Sequence, residues 1–271
     1  MQSPENDIRF TDSYEPAFGL PLLGYARGDD PLWQSFKRHV GSFHWTPGEA
    51  FSLAFPKTSV PADELSVIVW IIPQTEATLA DHRKVREWPS ERWARSRIFG
   101  ERYVNEGLRR HLCRVLAEHD VMAVAPALLA EWSDMPSEDY VYASTWSERH
   151  AAFVAGLGTF GICDGLITPR GKAIRVGSVI ARVKLPVTER AYHHHMEYCL
   201  FSSQGTCGAC IRKCPANALS PNGHDKRLCK DYLDKTAQYV REHFQFDGYG
   251  CGFCQVNVPC ERGIPHRNRS Q

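Results

Sequence analysis

The feature that most constrains this chain is a dense group of cysteines toward its C-terminal end. Eight of the ten cysteines lie between Cys199 and Cys260, and the centre of the group reads Cys207-Gly-Ala-Cys210-Ile-Arg-Lys-Cys214-Pro215. Two thiolates separated by two residues can reach one iron–sulfur cluster, whereas a third cysteine, placed after three more residues and followed by proline, ligates a second cluster. The C-x2-C-x3-C-P run therefore predicts an iron–sulfur protein, and eight thiolates match two 4Fe-4S clusters.

The composition is that of an ordinary globular protein of one or two domains, with 271 residues, 43% of them hydrophobic and 23% charged. The polar N-terminus and the lack of any long apolar run predict no membrane span and a cytoplasmic protein. In that compartment cysteines are kept reduced, so the group indicates metal ligation rather than disulfides. A net charge of +1 supplies no broad basic field and predicts no nucleic-acid partner.

The first two thirds of the chain carry alternating strand and helix patterns. Ser66–Ile72 is an apolar, β-branched run typical of a strand buried on both faces, and Val121–Ala125 and Ile174–Lys184 give further strand signals. Between them, Arg97–Glu118 has apolar residues at helical spacing. This pattern predicts an α/β or α+β domain.

The composition changes near His193 to closely spaced cysteines and short loops. We therefore predict two domains, residues 1–192 and residues 193–271. Crossed ligation assigns the eight cysteines to two sets of four. One set is Cys199, Cys207, Cys210 and Cys260, and the other is Cys214, Cys229, Cys251 and Cys254. Two structural zinc sites are the alternative, because paired C-x2-C units also suit tetrahedral zinc, but the C-x3-C-P element favours iron–sulfur.

A glycine motif, Gly156-Leu-Gly158-Thr-Phe-Gly161, matches the G-x-G-x-x-G pattern of dinucleotide-binding loops. In such loops a strand precedes the motif and a helix follows it. Here the order is reversed, since Trp146–Ala155 has helical character and Ile162–Thr168 looks extended. No acidic residue lies about twenty residues on. The motif therefore does not predict a dinucleotide site.

The same stretch does resemble a known family. Residues Ala151–Gly161, Leu166–Pro169 and Gly177–Ile180 are similar to the core shared by epoxyqueuosine reductases and reductive dehalogenases. Lys226–Leu233 and Cys251–Gln255 resemble elements around the second cluster of epoxyqueuosine reductase. The resemblance covers roughly residues 60 to 260. The combination of these segments makes it specific, whereas each segment alone is a weak signal.

The resemblance implies a nitroreductase-like domain that binds cobalamin, followed by a small ferredoxin-like domain with two 4Fe-4S clusters. Such a protein is an oxidoreductase that takes low-potential electrons from a ferredoxin- or flavodoxin-type donor and reduces a small substrate. The implied cobalamin contacts are Gly156, Gly158, Phe160, Gly161 and Cys163. For Cys163, packing alone is the alternative.

The chain departs from the family pattern in several places. Ala123 stands where epoxyqueuosine reductases have a catalytic aspartate, and Gln204 replaces the first cysteine of the usual C-x2-C-x2-C-x3-C-P run. The final C-x3-C-P has become Cys254-x5-Cys260, and no tRNA-associated extension follows. These departures leave a second function open, that of an electron carrier or corrinoid reductase without its own organic substrate. A zinc-stabilised binding module is a third possibility.

The predicted proton donors precede the glycine motif. Tyr140, Tyr142, Arg149 and His150 crowd there, and reductive dehalogenases resemble this in using a tyrosine beside a basic residue. A phenol with a pKa of about 10 needs a neighbouring cation to stabilise the phenolate, which Arg149 or Lys172 could supply. The alternatives are that the tyrosines are surface aromatics, that Glu148 and Arg149 form a solvated pair, and that His150 is structural.

Overall fold

The computed structural model describes residues 3–10 and 12–266, so the predicted domain limits at residues 1 and 271 lie outside it. Within that part of the chain the strands are β1 (Leu22–Arg27), β2 (Ser66–Pro73), β3 (Ala123–Val124), β4 (Asp134–Ser137), β5 (Val141–Ser144), β6 (Thr159–Phe160), β7 (Leu166–Ile167), β8 (Ile174–Ala181), β9 (Leu219–Ser220) and β10 (Gly223–His224). The α-helices are α1 (Pro31–His39), α2 (Pro47–Ala54), α3 (Glu76–His82), α4 (Glu91–Arg95), α5 (Glu106–Glu118), α6 (Glu148–Val154), α7 (Leu200–Gln204), α8 (Ala209–Arg212) and α9 (Lys226–Phe244). A π-helix spans Ser96–Asn105, and 3₁₀ turns span Ala62–Glu64 and Pro126–Leu128.

The central sheet has the order β1-β2-β8-β3, and each neighbouring pair is antiparallel. The α+β description therefore fits the fold better than α/β, which implies parallel strands. β2 is buried from Ser66 to Ile72 because both its edges are paired and both its faces are covered. The predicted strands at 66–72 and 174–184 are thus confirmed as the two inner strands. Remaining pairs form the small hairpins β4–β5, β6–β7 and β9–β10.

The two faces of β2 contact two separate apolar cores. Val67, Val69 and Ile71 pack into a core completed by α1, α2 and α6, while Trp70 and Ile72 pack into a second core on the opposite face. This alternation follows from the two-residue side-chain period of a strand. The sheet therefore lies between two helical layers and holds the segments that follow β5 and β8 in place.

The helix predicted over residues 97–118 is present but changes its winding. It is a π-helix over Ser96–Asn105 and becomes α-helical at Glu106. The π segment brings Asn105 against the sheet, where its amide oxygen accepts from the indole of Trp70 (2.8 Å) and its amide nitrogen donates to the carbonyl of Val176 (2.9 Å). Gly177 leaves room for this contact, since an added Cβ would lie 2.5 Å from Trp70.

Only two residues of the strand predicted at 121–125 pair with the sheet, Ala123 and Val124. Pro126 begins a 3₁₀ turn immediately afterwards and ends the pairing. Ala123 lies at the sheet edge opposite Ala181. The helix predicted before the glycine motif is confirmed as α6, which Ser147 caps by accepting from the backbone N–H of His150.

Hydrogen bonds and an ion pair of Cys260 and Glu261 join the cysteine-rich part of the chain to the part that carries the central sheet. The carbonyl of Cys260 accepts from the backbone N–H of Lys172 (2.8 Å), just before β8 begins. Buried Glu261 also forms an ion pair with Arg83. An apolar group shared by Ile162, Ile167 and the cysteines further joins the two parts. None of the described helices is both long and apolar enough to cross a membrane.

Candidate metal centre and adjoining site

Four cysteine side chains line one small cavity in the C-terminal third of the chain. They are Cys199, Cys207, Cys210 and Cys260, the set predicted above for one cluster. Gly208 adopts a left-handed backbone (φ 85°) and lets the chain turn into α8, which carries Cys210. The rest of the wall includes Ile162, Ile167, Phe201 and Val258. Thiols within an apolar wall are the donor set and surroundings that a low-potential iron–sulfur cluster requires.

The other four predicted ligands, Cys214, Cys229, Cys251 and Cys254, form a second group. Burial is the main cause that raises the pKa of Cys251 to about 12, and the neighbouring Cys229 and Cys214 contribute to the rise. The pKa of buried Cys254 is also raised, in part by Cys251. In residues 3–10 and 12–266, no three His, Cys, Asp or Glu side chains are arranged to hold a single metal ion. The thiols of the first set are instead distributed around the cavity described above.

Cys163 and Lys172 lie between the two cysteine sets. The ammonium group of Lys172, which is only 3% exposed, donates to the sulfur of Cys163 at 3.1 Å. Hydrogen bonds from Cys210 and Cys254, one from each set, lower the pKa of Cys163. Burial alone would lower the pKa of Lys172, but Cys163 and the cluster cysteines outweigh it and hold it well above its ordinary value. The buried cation therefore faces both sets and compensates negative charge there.

The glycine motif is shaped by contacts with the protein itself. Gly156 has φ 75°, and an added Cβ would lie 2.8 Å from the carbonyl of Glu189. At Gly158 an added Cβ would lie 2.1 Å from the carbonyl of Ile167. Close backbone packing thus accounts for both glycines without a ligand. Corrinoid contacts of Gly156, Gly158, Phe160, Gly161 and Cys163 remain predictions.

The structure brings the predicted donor tyrosines beside the second cysteine set. Lys226, at the start of α9, lies 5.1 Å from the ring centre of Tyr140 and 5.3 Å from that of Tyr142. Burial raises the pKa of Tyr142, and Cys229 raises it further, so the phenol keeps its proton. Lys226 is therefore a cation near both phenols, and Lys230 also acts on Tyr142. The role suggested for Arg149 or Lys172 remains a prediction.

Arg149 joins a short polar chain that ends at the same cysteine. Its guanidinium donates to the carbonyl of Asp164 (2.9 Å), whose carboxylate contacts the ring of His224 at 2.9 Å. Burial opposes protonation of His224, but hydrogen bonds to Asp164 and Cys229 raise its pKa to about 9. His224 is thus a protonated neighbour of Cys229 that the spacing of the cysteines does not reveal.

His150 follows Arg149 in α6, and its ring packs among aromatic side chains of the core. Its ring contacts the rings of Phe36 (4.6 Å between centres), Phe160 (4.9 Å) and His44 (5.5 Å). Burial is the main cause that lowers its pKa well below the ordinary value, with His44 contributing. The structure therefore favours the structural alternative for His150, as a neutral ring packed among aromatic side chains.

His44 makes the stability of this core dependent on pH. It is fully buried, and burial lowers its pKa from 6.5 to about 4. The unfolded chain binds a proton on His44 at a higher pH than the folded chain does, so this proton favours unfolding. The unfolding free energy is therefore unaffected by His44 above pH 6.5 and falls as the pH falls from 6.5 toward 4. We expect His44→Phe to reduce the loss of unfolding free energy over this range by roughly 3 kcal/mol, measured by urea unfolding. His111→Phe, on the exposed side of α5, is the control. Parallel pH profiles for wild type and His44→Phe would contradict this assignment.

A buried ionic group lies beside the site, and the sequence does not predict it. Arg109, 3% exposed, binds Glu101 (2.9 Å) and Glu148 (3.0 Å) and also donates to the carbonyl of Val176. Glu148 therefore forms a buried ion pair with Arg109. It does not form the solvated pair with Arg149 that was the alternative prediction. The helical pattern of α5 shows Arg109 only as one of several charged residues, so its burial had no signal in the sequence.

Comparison with known proteins identifies relatives. No protein-family model matches the chain. Epoxyqueuosine reductase of Staphylococcus aureus is 28% identical over 262 residues, which cover 93% of this chain and 63% of that protein. The enzyme of Listeria monocytogenes is 28% identical over 192 residues, 68% of this chain and 47% of its own length. The chain is thus similar in sequence to epoxyqueuosine reductases and spans less than two thirds of the length of these two relatives.

Solved structures of two groups of reductases are similar in fold to this chain. A selenomethionine-labelled epoxyqueuosine reductase matches with a TM-score of 0.51 and 17% identity over 91% of this chain and 63% of that chain. A catabolic reductive dehalogenase matches with a TM-score of 0.52 and 16% identity over 90% of this chain and 30% of that chain. The predicted family resemblance is confirmed.

Proposed function

We propose that this chain is an iron–sulfur oxidoreductase that binds two 4Fe-4S clusters and passes low-potential electrons to a bound cobalamin to reduce a small substrate. The observation that carries the proposal is the apolar cavity lined by Cys199, Cys207, Cys210 and Cys260. These residues come from both ends of a 62-residue stretch, as crossed ligation requires. The relatives that support a reductase are themselves named epoxyqueuosine reductases.

Bound clusters would supply single electrons at low potential. The chain's own residues prepare their surroundings. Lys172 places a buried positive charge between the two cysteine sets, where it compensates thiolate charge. Ile162, Ile167 and Val258 form apolar walls that limit the access of water to the first set.

Proton supply is proposed for the face beside the second set. Tyr142 holds its proton at neutral pH, and Lys226 is near enough to stabilise the phenolate after transfer. Arg149 is tied to Asp164 and has a positioning role in this arrangement. The catalytic roles proposed for Tyr140 and Tyr142 rest on this proximity to Lys226 and Cys229.

The cobalamin part of the proposal rests on the sequence resemblance over residues 151–180. A corrinoid reductase or electron carrier is the second candidate, and Ala123 favours it because its side chain cannot transfer a proton. We propose a ferredoxin- or flavodoxin-type electron donor and a small substrate. An epoxyqueuosine reductase has been solved with a tRNA stem loop, with a TM-score of 0.50 to this chain. The near-zero net charge supports the small substrate over RNA.

Anaerobic reconstitution with iron and sulfide tests the proposal. We expect about eight iron and about eight sulfide per chain, because each of two clusters carries four of each. Zinc uptake without sulfide, at one ion per cysteine set, would instead establish the structural zinc alternative. Electron paramagnetic resonance after corrinoid addition then tests the acceptor, since a cobalt signal that responds to cluster reduction is expected.

A further inference from the structure

Three arginines gather where β8 begins, close to the second cysteine set. Arg175 is the second residue of β8, Arg97 lies in the π-helix, and Arg149 lies in α6. Arg97 and Arg149 both act electrostatically on Arg175, as does Tyr249, two residues before Cys251. Arg149 also acts on Lys226. Positive charge therefore accumulates next to the proposed proton donors.

These guanidinium groups have only neutral hydrogen-bond partners. Arg97 donates to the hydroxyl of Tyr249 (2.9 Å), Arg149 to the carbonyl of Asp164 (2.9 Å) and Arg175 to the carbonyl of Ile174 (3.2 Å). Over the described ranges, none of the three forms an ion pair with a carboxylate. Glu101 is the nearby carboxylate, and Arg109 and Asn105 already bind it.

Arg175 carries the clearest sign of a missing partner. Its Nε atom is buried and has no hydrogen-bond partner in the part of the chain that the structure describes. Burial, with the nearby Arg97, lowers the pKa of Arg175 to about 9. The group still holds its charge at neutral pH, and a buried donor left unpaired is costly. Arg149, unlike Arg175, is exposed to solvent.

We propose that Arg97, Arg149 and Arg175 form a binding site for an oxyanion, the phosphate or carboxylate group of a small ligand, which accepts from Arg175 Nε. Guanidinium groups suit this role because their N–H groups match the oxygens of carboxylate and phosphate. A small anion would satisfy the buried donor and relieve the repulsion among three cations. If the proposed function holds, this assigns the substrate to the class of anionic small molecules.

Isothermal titration of the as-isolated protein with inorganic phosphate and with benzoate tests this site. We expect saturable binding of at least one probe, and Arg175→Met should weaken it by about 10-fold or more, as expected for a charge-assisted hydrogen bond. Arg149→Met should also weaken anion binding. Because Arg149 is exposed, this variant tests the site even if Arg175→Met does not fold. Arg114→Met, on the exposed side of α5, should leave it unchanged.

Two results would overturn the inference: no binding of either anion by the wild-type protein, or equal binding by folded Arg175→Met. A third would also reject it, namely an RNA hairpin binding more tightly than both anions and losing affinity in the same variants. The titration needs no electron donor and no turnover. Failure of the wild-type protein to take up iron and sulfide, with anion binding retained, would count against the proposed function alone.

Discussion

Replacing Cys207 with alanine is expected to halve the iron and sulfide content of the reconstituted protein, from about eight to about four of each per chain. Cys207 lines the cavity of the first set and takes no part in the second. Substitution of a residue that only contacts a metal ligand lowers metal affinity or activity by about 10- to 100-fold. Loss of a ligand itself should therefore lower reductase activity by more than about 100-fold.

Cys113→Ala is the matched control for this experiment, because Cys113 lies half-buried on α5, outside both sets. It should retain all iron and sulfide. Cys207 is preferable to Cys210 as the test position, since Cys163 lies beside Cys210 and could replace it as a ligand. Full cluster content in Cys207→Ala would contradict the ligand assignment.

Replacing Arg109 with methionine is expected to cost about 3–5 kcal/mol of unfolding free energy, which corresponds to a fall in Tm of about 10 °C. The substitution leaves the carboxylates of Glu101 and Glu148 beside the sheet without their cation. Burial already raises the pKa of Glu148, and removing Arg109 would raise it further. Differential scanning calorimetry or urea unfolding measures the loss.

The neighbouring Arg110 supplies the control. Its side chain is 68% exposed and reaches Glu106 at 3.5 Å, so Arg110→Met should change stability by less than about 1 kcal/mol. Adding Glu148→Gln to Arg109→Met should restore part of the stability, because it removes a buried negative charge. Equal stability of Arg109→Met and Arg110→Met would show that the buried ionic group contributes little.

The parts of the fold that the sequence predicts are those governed by local pattern. The apolar run at Ser66–Ile72 predicts a buried strand, which the structure confirms as an inner strand. The cysteine spacing alone places Cys207 and Cys210 in one set and Cys214 in the other. The π-helix could not be predicted, because Asn105 adopts it to meet Trp70 and Val176, which are distant in the chain.

The adjoining site depends still more on distant contacts. Lys226 lies 84 residues from Tyr142 in the sequence, and only the packing of α9 against the β4–β5 hairpin brings them together. Arg97 and Arg175 likewise meet only after the sheet has formed. Charged residues in a helix or strand pattern carry no signal of which other charges they will face.

The fastening of Cys260 and Glu261 to the start of β8 has a consequence for synthesis. A nascent chain leaves the ribosome with its N-terminus first, so the strands of the central sheet emerge before residues 251–261 do. On the proposed assignment, the first cysteine set lacks Cys260, and the second lacks Cys251 and Cys254, until those residues have emerged. Each centre can therefore be completed only after the strands of the central sheet have been synthesised.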